Sequence, residues 1–452
     1  MASSPGPEER VADAHADADA NADADAGACA RASVPAADAG VARASLLTRP
    51  LLLRFVTVVG SSASFYLLLS VVPAYAQSAP GGGSDRAGLV TGVLMLATVA
   101  GELAAPWLAA RCGYRLLLGA GLLLLGTPAL VLPLSRSMVW IVAVCFVRGL
   151  GFAFTLVAGG ALTASLIPPE RRGEGLALIG VMAGAPSLVG LPLGAWLASH
   201  TGYTPVCTAA ALAALVSVAA VPGLPGREAG ASSEPRPGLF AGLRSGALGR
   251  PTVVFASTAV GAGIVVTFLP LAVAPGHSGA IAAALFVQPA AATASRWFAG
   301  RRADRHGSGA LVVPGLCVSA AGILVVALTG LPVAVVAGAA VFGAGFGITQ
   351  TATLTLMYSR VPASGYGTVT ALWNVAYDAG MGVGAAGFGA VAALTGYPGA
   401  FVLTAALMLA ALAPARRDRT ATGDDRTATG DDRTAAGDDP TGDDRAAAPR
   451  RS

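Results

Sequence analysis

VRGLGFAFT at residues 147–155 and VFGAGFGIT at residues 341–349 are two copies of one pattern. They lie 343 − 149 = 194 residues apart; at that spacing Gly149 matches Gly343, Gly151 matches Gly345, Phe152 matches Phe346 and Thr155 matches Thr349. Both copies sit inside long apolar runs, where glycine lets neighbouring backbones approach closely. The glycine pairs serve either that packing or a flexing of the chain. The same offset holds outward in both directions. Arg111 matches Arg305, Gly113 matches Gly307, Pro168 matches Pro362, Gly173 matches Gly367 and Gly190 matches Gly384. Thr201-Gly202-Tyr203 matches Thr395-Gly396-Tyr397. One gapless offset over that distance marks an internal duplication.

The runs around these copies are apolar enough to span a bilayer. Of the 452 residues, 54% are hydrophobic and 12% are charged, against about 25% charge in a soluble globular protein. A helix needs about 20 apolar residues to cross the hydrocarbon core. Spans are predicted at 51–76, 87–110, 114–134, 138–167, 173–199 and 203–221, and again at 251–274, 278–299, 310–331, 333–358, 366–393 and 398–415. The fold class is therefore an all-α membrane protein of about twelve transmembrane helices, arranged as two pseudo-symmetric six-helix bundles. The bundles cover 50–222 and 251–415, joined by a central loop at 223–250 rich in Gly, Pro and Ser.

The tails read differently. Residues 1–49 are rich in Ala and Asp, and 416–452 repeat Arg-Thr-Ala-Thr-Gly-Asp-Asp from Arg419. Such segments bury too little apolar surface to offset ordering entropy and are expected to be disordered. Arginine placement sets the orientation. With the N-terminus inside, the inner loops hold twelve arginines, among them Arg111, Arg115, Arg171, Arg172 and Arg360, and the outer loops hold Arg86 and Arg136. That bias places both termini in the cytoplasm and the protein in the cell membrane.

Several function classes fall away. All 29 basic residues are arginine, so no Walker A lysine exists to hold a nucleotide's phosphates. Cys29, Cys112, Cys145, Cys207 and Cys317 are scattered singly, which gives neither a zinc framework nor a disulfide one. No nucleophile–base arrangement stands out, so neither enzyme chemistry, a metal, another cofactor nor nucleic acid is expected. A non-transporting receptor would carry large ordered soluble domains, and the tails offer none. Internal duplications of this kind are typical of secondary transporters, with the substrate site at the repeat interface near the midplane.

The motifs resemble those of the major facilitator superfamily over 51–415. Gly300-Arg-Arg-Ala-Asp304-Arg305-His-Gly307 is similar to that family's G-x-x-x-D-R-x-G gating loop. The equivalent Pro106–Gly113 stretch keeps Arg111 and Gly113 but has Ala110 in place of the acid. Arg148-Gly-Leu-Gly151 resembles the family's fourth-helix motif. Gly184-Ala-Pro186 and Gly190-Leu-Pro-Leu-Gly194 resemble the helix-five motif of bacterial drug/proton antiporters, without its Gly-Pro pair. The resemblance implies a monomer that moves a small molecule by alternating access. Proton-coupled efflux is the leading expectation, with proton symport of a metabolite as the alternative.

Charges inside the spans are few, and such residues are functional candidates because each is costly to insert. They are Glu102, Arg148, Arg296 and Asp378, with Arg54 expected to reach the cytoplasmic surface. Helices three, six, nine and twelve carry no charge away from their ends, as expected of lipid-facing positions. Glu102 lies nine residues before Arg111, roughly 13 Å into the membrane. Its repeat equivalent is Arg296, since 102 + 194 = 296. The two are expected either to face each other or the same cavity across the halves, or to part, with Arg296 reaching the cytoplasmic surface and joining the Asp304 loop. Asp378 shares a helix side with Asn374, beside Trp373 and Tyr377. It serves either as a proton carrier beside an amphipathic, even cationic, substrate or as a structural partner of Asn374. The resemblance links Arg148 to proton transfer. Gln288 and Gln350 are polar candidates, either for substrate or for bonds between helices.

Overall fold

The computed structural model describes residues 48–167, 172–226, 239–274, 276–362 and 365–418. The segments expected to be disordered fall almost wholly outside these residues, as do Pro168 and the side chain of Asp304. In the first half α1 (Arg49–Leu69) continues into a short helix, Val71–Gln77. Then come α2 (Ser84–Cys112), α3 (Tyr114–Val131), α4 (Met138–Leu166), α5 (Arg172–Thr201) and α6 (Tyr203–Ser217). A short helix, Leu239–Arg244, precedes the second half: α7 (Gly246–Ala272), α8 (Ser278–His306), α9 (Gly309–Val326) and α10 (Pro332–Tyr358). The run Tyr366–Ala410 is broken at Gly396, where φ is 72° and ψ 168°, into α11 (366–395) and α12 (397–410). Ten described segments are long and apolar enough to cross a membrane, one of them being α11 and α12 together. The 30-residue α5 completes the set.

The duplication is visible in the geometry. Gly113 and Gly307, with φ of 85° and 79°, divide α2 from α3 and α8 from α9. Gly202 and Gly396, with φ of 85° and 72°, divide α5 from α6 and α11 from α12. Both pairs are 194 apart. Positive φ with extended ψ belongs almost wholly to glycine, so each break needs that residue. Helix crossings repeat as well. A methyl at Gly149 would strike the carbonyl of Leu94, and one at Gly343 would strike that of Gln288; 94 + 194 = 288. Gly151 packs on Gly121 and Leu125, and Gly345 on Gly315 and Ser319, again at the same offset. The close-packing reading of these glycines therefore describes where they sit. Outward-facing leucines such as Leu116 on α3, Leu212 on α6, Leu324 on α9 and Leu407 on α12 are exposed. In water such a belt would be a liability; in a bilayer it meets lipid.

Several boundaries move. The motif predicted as a loop at Gly300–Arg305 forms the last turns of α8, with Gly307 in the turn. The Arg301 guanidinium lies 3.9 Å from the Trp297 ring, as Arg111 does from Trp107 on α2. These i,i+4 cation–π pairs carry both helices past the apolar run. The second half begins at Gly246 rather than Pro251, because Ser245 caps α7 by accepting from the Leu248 N–H at 3.3 Å. Pro251 cannot donate to the Ala247 carbonyl, and Arg360 does so instead at 2.6 Å. Arg360 also forms a bidentate ion pair with Asp418 at 2.9 and 2.8 Å, so ordered chain runs past 416. Arg54 is buried rather than at the surface. Its Nε donates to the Gly159 carbonyl at 3.0 Å and the Thr163 hydroxyl at 3.2 Å, and its Nη1 to the Thr57 hydroxyl at 2.8 Å.

Candidate functional site

The halves meet chiefly along α2 and α11, and small residues set how close they come. A methyl at Gly88 would strike the Ala385 carbonyl, and Gly92 faces Ala386. Gly382 lies on Met95, and Gly389 on the Ser84 carbonyl. Hydrogen bonds tie the same side of the interface. The Thr267 hydroxyl donates to that of Thr91 at 3.1 Å, Ser84 to the Gly389 carbonyl at 3.0 Å, and Gln77 Nε2 to the Tyr397 hydroxyl at 3.1 Å.

At the other end of this seam the carboxyls of Glu102 on α2 and Asp378 on α11 lie close enough to interact. Both are buried, and neither Glu102 oxygen has a hydrogen-bond partner. Two carboxylates in contact repel strongly unless a proton lies between them. This pair therefore replaces the expected meeting of Glu102 with Arg296. It also replaces the Asn374 contact: among the described residues no hydrogen bond joins Asn374 to Asp378. The cause is the small-residue seam, which brings α2 against α11, whereas Arg296 sits on α8.

Arg296 lies instead beside Tyr66 and Tyr377. These three line a cavity of about 70 Å³ with Ser187 of α5, Gln288 of α8 and Phe346 of α10. The Arg296 side chain is exposed there and forms no ion pair or hydrogen bond among the described residues. One wall beyond the cavity is aromatic. Trp373 stacks on Phe255 at 4.5 Å and 9°, and Tyr377 lies nearly parallel to both rings, 6.1 Å from Phe255 and 6.4 Å from Trp373. Trp373 Nε1 and Gln350 Oε1 are buried without a partner.

The remaining candidates lie elsewhere. Arg148 is 1% exposed and donates to the carbonyls of Leu125 at 3.2 Å and Ser64 at 3.0 Å. No carboxylate pairs with it among the described residues. Gly190 and Gly194 pack α5 on Tyr66 and Leu67 of α1, while Gly184 and Gly300 face open space. Pro186 is buried within α5, and Arg305 is exposed. Sequence reading passed over Tyr66, Phe255 and Phe346 as site residues. Tyr66 could have been found as a phenol inside an apolar span. Phe255, one of 14 phenylalanines, carries no local signal.

A family model described as the Major Facilitator Superfamily matches residues 54–385 and 298–437. The chain belongs to that superfamily. It is a multi-pass membrane transporter of a small molecule and not an enzyme. Solved structures agree on the fold. A mutant of the nucleoside transporter NupG superposes with TM-score 0.69 at 12% identity, covering 81% of this chain and 99% of that one. A bacterial homologue of the human lysosomal transporter Spinster, in an inward-facing and unoccupied conformation, gives 0.65 at 14% identity, covering 82% and 95%. A POT family transporter in complex with a thioalcohol-conjugated peptide gives 0.67 at 10% identity, covering 83% and 96%.

Proposed function

We propose that this superfamily member is a proton-coupled secondary transporter of a small amphipathic molecule, with Glu102 and Asp378 as the proton site. The observation that carries this reading is their contact across the two halves. Alternating access rocks one half against the other around a central site. Parting the halves would separate the two carboxyls, and their shared proton would lose one of its two hosts. Closing them would demand a proton again. Coupling then follows from geometry, because a single proton is held only while the seam is shut. Export is the direction that the helix-five resemblance favours, from a cell membrane with both termini cytoplasmic and the protein working as a monomer. Symport uses the same pair with the opposite sign of proton movement.

The test is proton movement in proteoliposomes. A pH gradient is imposed, amphipathic compounds are added, and an internal pH dye is followed for wild type, Glu102→Gln and Asp378→Asn. Substrate-dependent flux in wild type and none in either folded variant is expected. Undiminished flux in either variant would remove that residue from the coupling.

A further inference from the structure

The charged side chain that lines the central cavity is a guanidinium, and it points to what the cavity takes. Resting on the reading of this cleft as the transport site, we propose that the substrate is an amphipathic anion. Its oxyanion head is held by Arg296 with the phenols of Tyr66 and Tyr377, and its flat apolar part lies along the rings of Tyr377 and Trp373, with the fully buried Phe255 behind them.

The reasoning starts from which charges are free. Glu102 and Asp378 interact with each other at the seam and do not line the cavity; with one shared proton they keep one negative charge between them. Arg148 and Arg54 are buried in the first half on backbone carbonyls and hydroxyls. That leaves Arg296, which lines the cavity and forms no ion pair among the described residues. A guanidinium offers a planar fork of donors that matches carboxylate and phosphate geometry and is less strongly hydrated than an ammonium. Two phenols beside it, and the Gln288 amide elsewhere in the lining, supply further donors to an oxyanion. A cationic head in this cavity would meet Arg296, and no carboxylate lines it.

Size and shape agree. At about 70 Å³ the cavity in this conformation has room for a head group, not a whole ligand. The three near-parallel rings of α7 and α11 adjoin it through Tyr377 and Phe346. Flat apolar surfaces stack well on such a wall. The unpartnered Trp373 Nε1 and Gln350 Oε1 are a donor and an acceptor that a polar substituent on the ligand would complete.

The experiment measures binding of naphthoate, naphthamide and naphthylmethylammonium to the purified full-length protein in nanodiscs. Naphthoate should bind wild type at least about tenfold more tightly than the other two, the effect of one charge-assisted hydrogen-bonded contact. Arg296→Gln should erase that preference, and Arg296→Lys should keep part of it. Trp373→Ala should weaken all three probes alike. The proposal is overturned if the ammonium binds as well as the anion. It is equally overturned if the preference survives Arg296→Gln, or if wild type binds none of the probes. Should Arg296→Gln fail to fold, the wild-type ranking and Arg296→Lys still decide. Repeating the binding in Asp378→Asn separates this proposal from the coupling. A retained anion preference without proton flux in wild type would sink the proton site alone. Proton-driven flux of the ammonium without anion binding would sink the anion alone.

Discussion

Laid over one another at the 194-residue offset, the two halves put glycine on glycine but, inside the membrane spans, not charge on charge. Gly149 and Gly343 let a helix cross the same backbone carbonyl in each half, and Gly113 and Gly307 make the same break. Yet Glu102 stands where the other half has Arg296, and Arg148 where it has Phe342. Gly184, with open space around it, stands where the other half has Asp378. Packing makes identical demands on both copies of a duplicated bundle. Transport makes demands on the cleft between them, so the symmetry is broken there. Positions that agree report the scaffold; of those that disagree, Glu102, Arg296 and Asp378 lie at the cleft, while Arg148 is buried within the first half.

The largest effect should come from the asymmetric positions. Glu102→Gln and Asp378→Asn should each bring substrate-driven proton flux to background while the protein stays monodisperse and helical by circular dichroism. If one variant is silent and the other fully active, the pair is not a unit and the comparison loses its functional side. Next come the symmetric glycines. Gly149→Ala and Gly343→Ala should each cost about 1–3 kcal/mol, because the added methyl meets a carbonyl held by its own helix. Thermal melts of the two variants should agree. A loss confined to one half would break the claim that packing is shared.

Smaller effects sharpen the same contrast. The Arg360–Asp418 ion pair has no first-half counterpart, since 360 − 194 = 166 is Leu166. Largely buried and bidentate, with side chains 16% and 10% exposed, it should be worth about 1–2 kcal/mol, between an exposed and a fully buried pair, read as the change in melting temperature of Asp418→Asn at low and high salt. The smallest change is expected at Gly184. Gly184→Ala should alter stability by less than about 0.5 kcal/mol, whereas Gly194→Ala should be clearly destabilising because its methyl meets the Leu67 carbonyl.

Much of this architecture can be read in the residues. Apolar length located the helices, and the repeated glycines located the breaks and crossings, because both are local demands on the chain. The start of α7 was not read. It rests on the Ser245 cap and on Arg360 donating to the carbonyl that Pro251 leaves free, a contact spanning 113 residues. In the site, Glu102 and Asp378 stood out as costly charges, but their meeting did not. The duplication relates Glu102 to Arg296, and related positions need not touch. The clue lay in the small residues Gly88 and Gly92 on α2 and Gly382 and Gly389 on α11, which determine the pairing of these two helices. Of the aromatic wall, Trp373 and Tyr377 stood out four residues apart on α11, whereas Phe255 and Phe346 did not, since they come from two other helices and meet it only in the fold.

The proton shared by Glu102 and Asp378 is tested most directly by infrared difference spectroscopy of the purified protein, following the carbonyl stretch of protonated carboxyl groups. A band that is present in wild type and shifted in frequency in both Glu102→Gln and Asp378→Asn is the predicted result, because in either variant the remaining buried carboxyl holds the proton alone. A band that persists unchanged in either variant, or wild type without any such band, would contradict a shared proton at this seam.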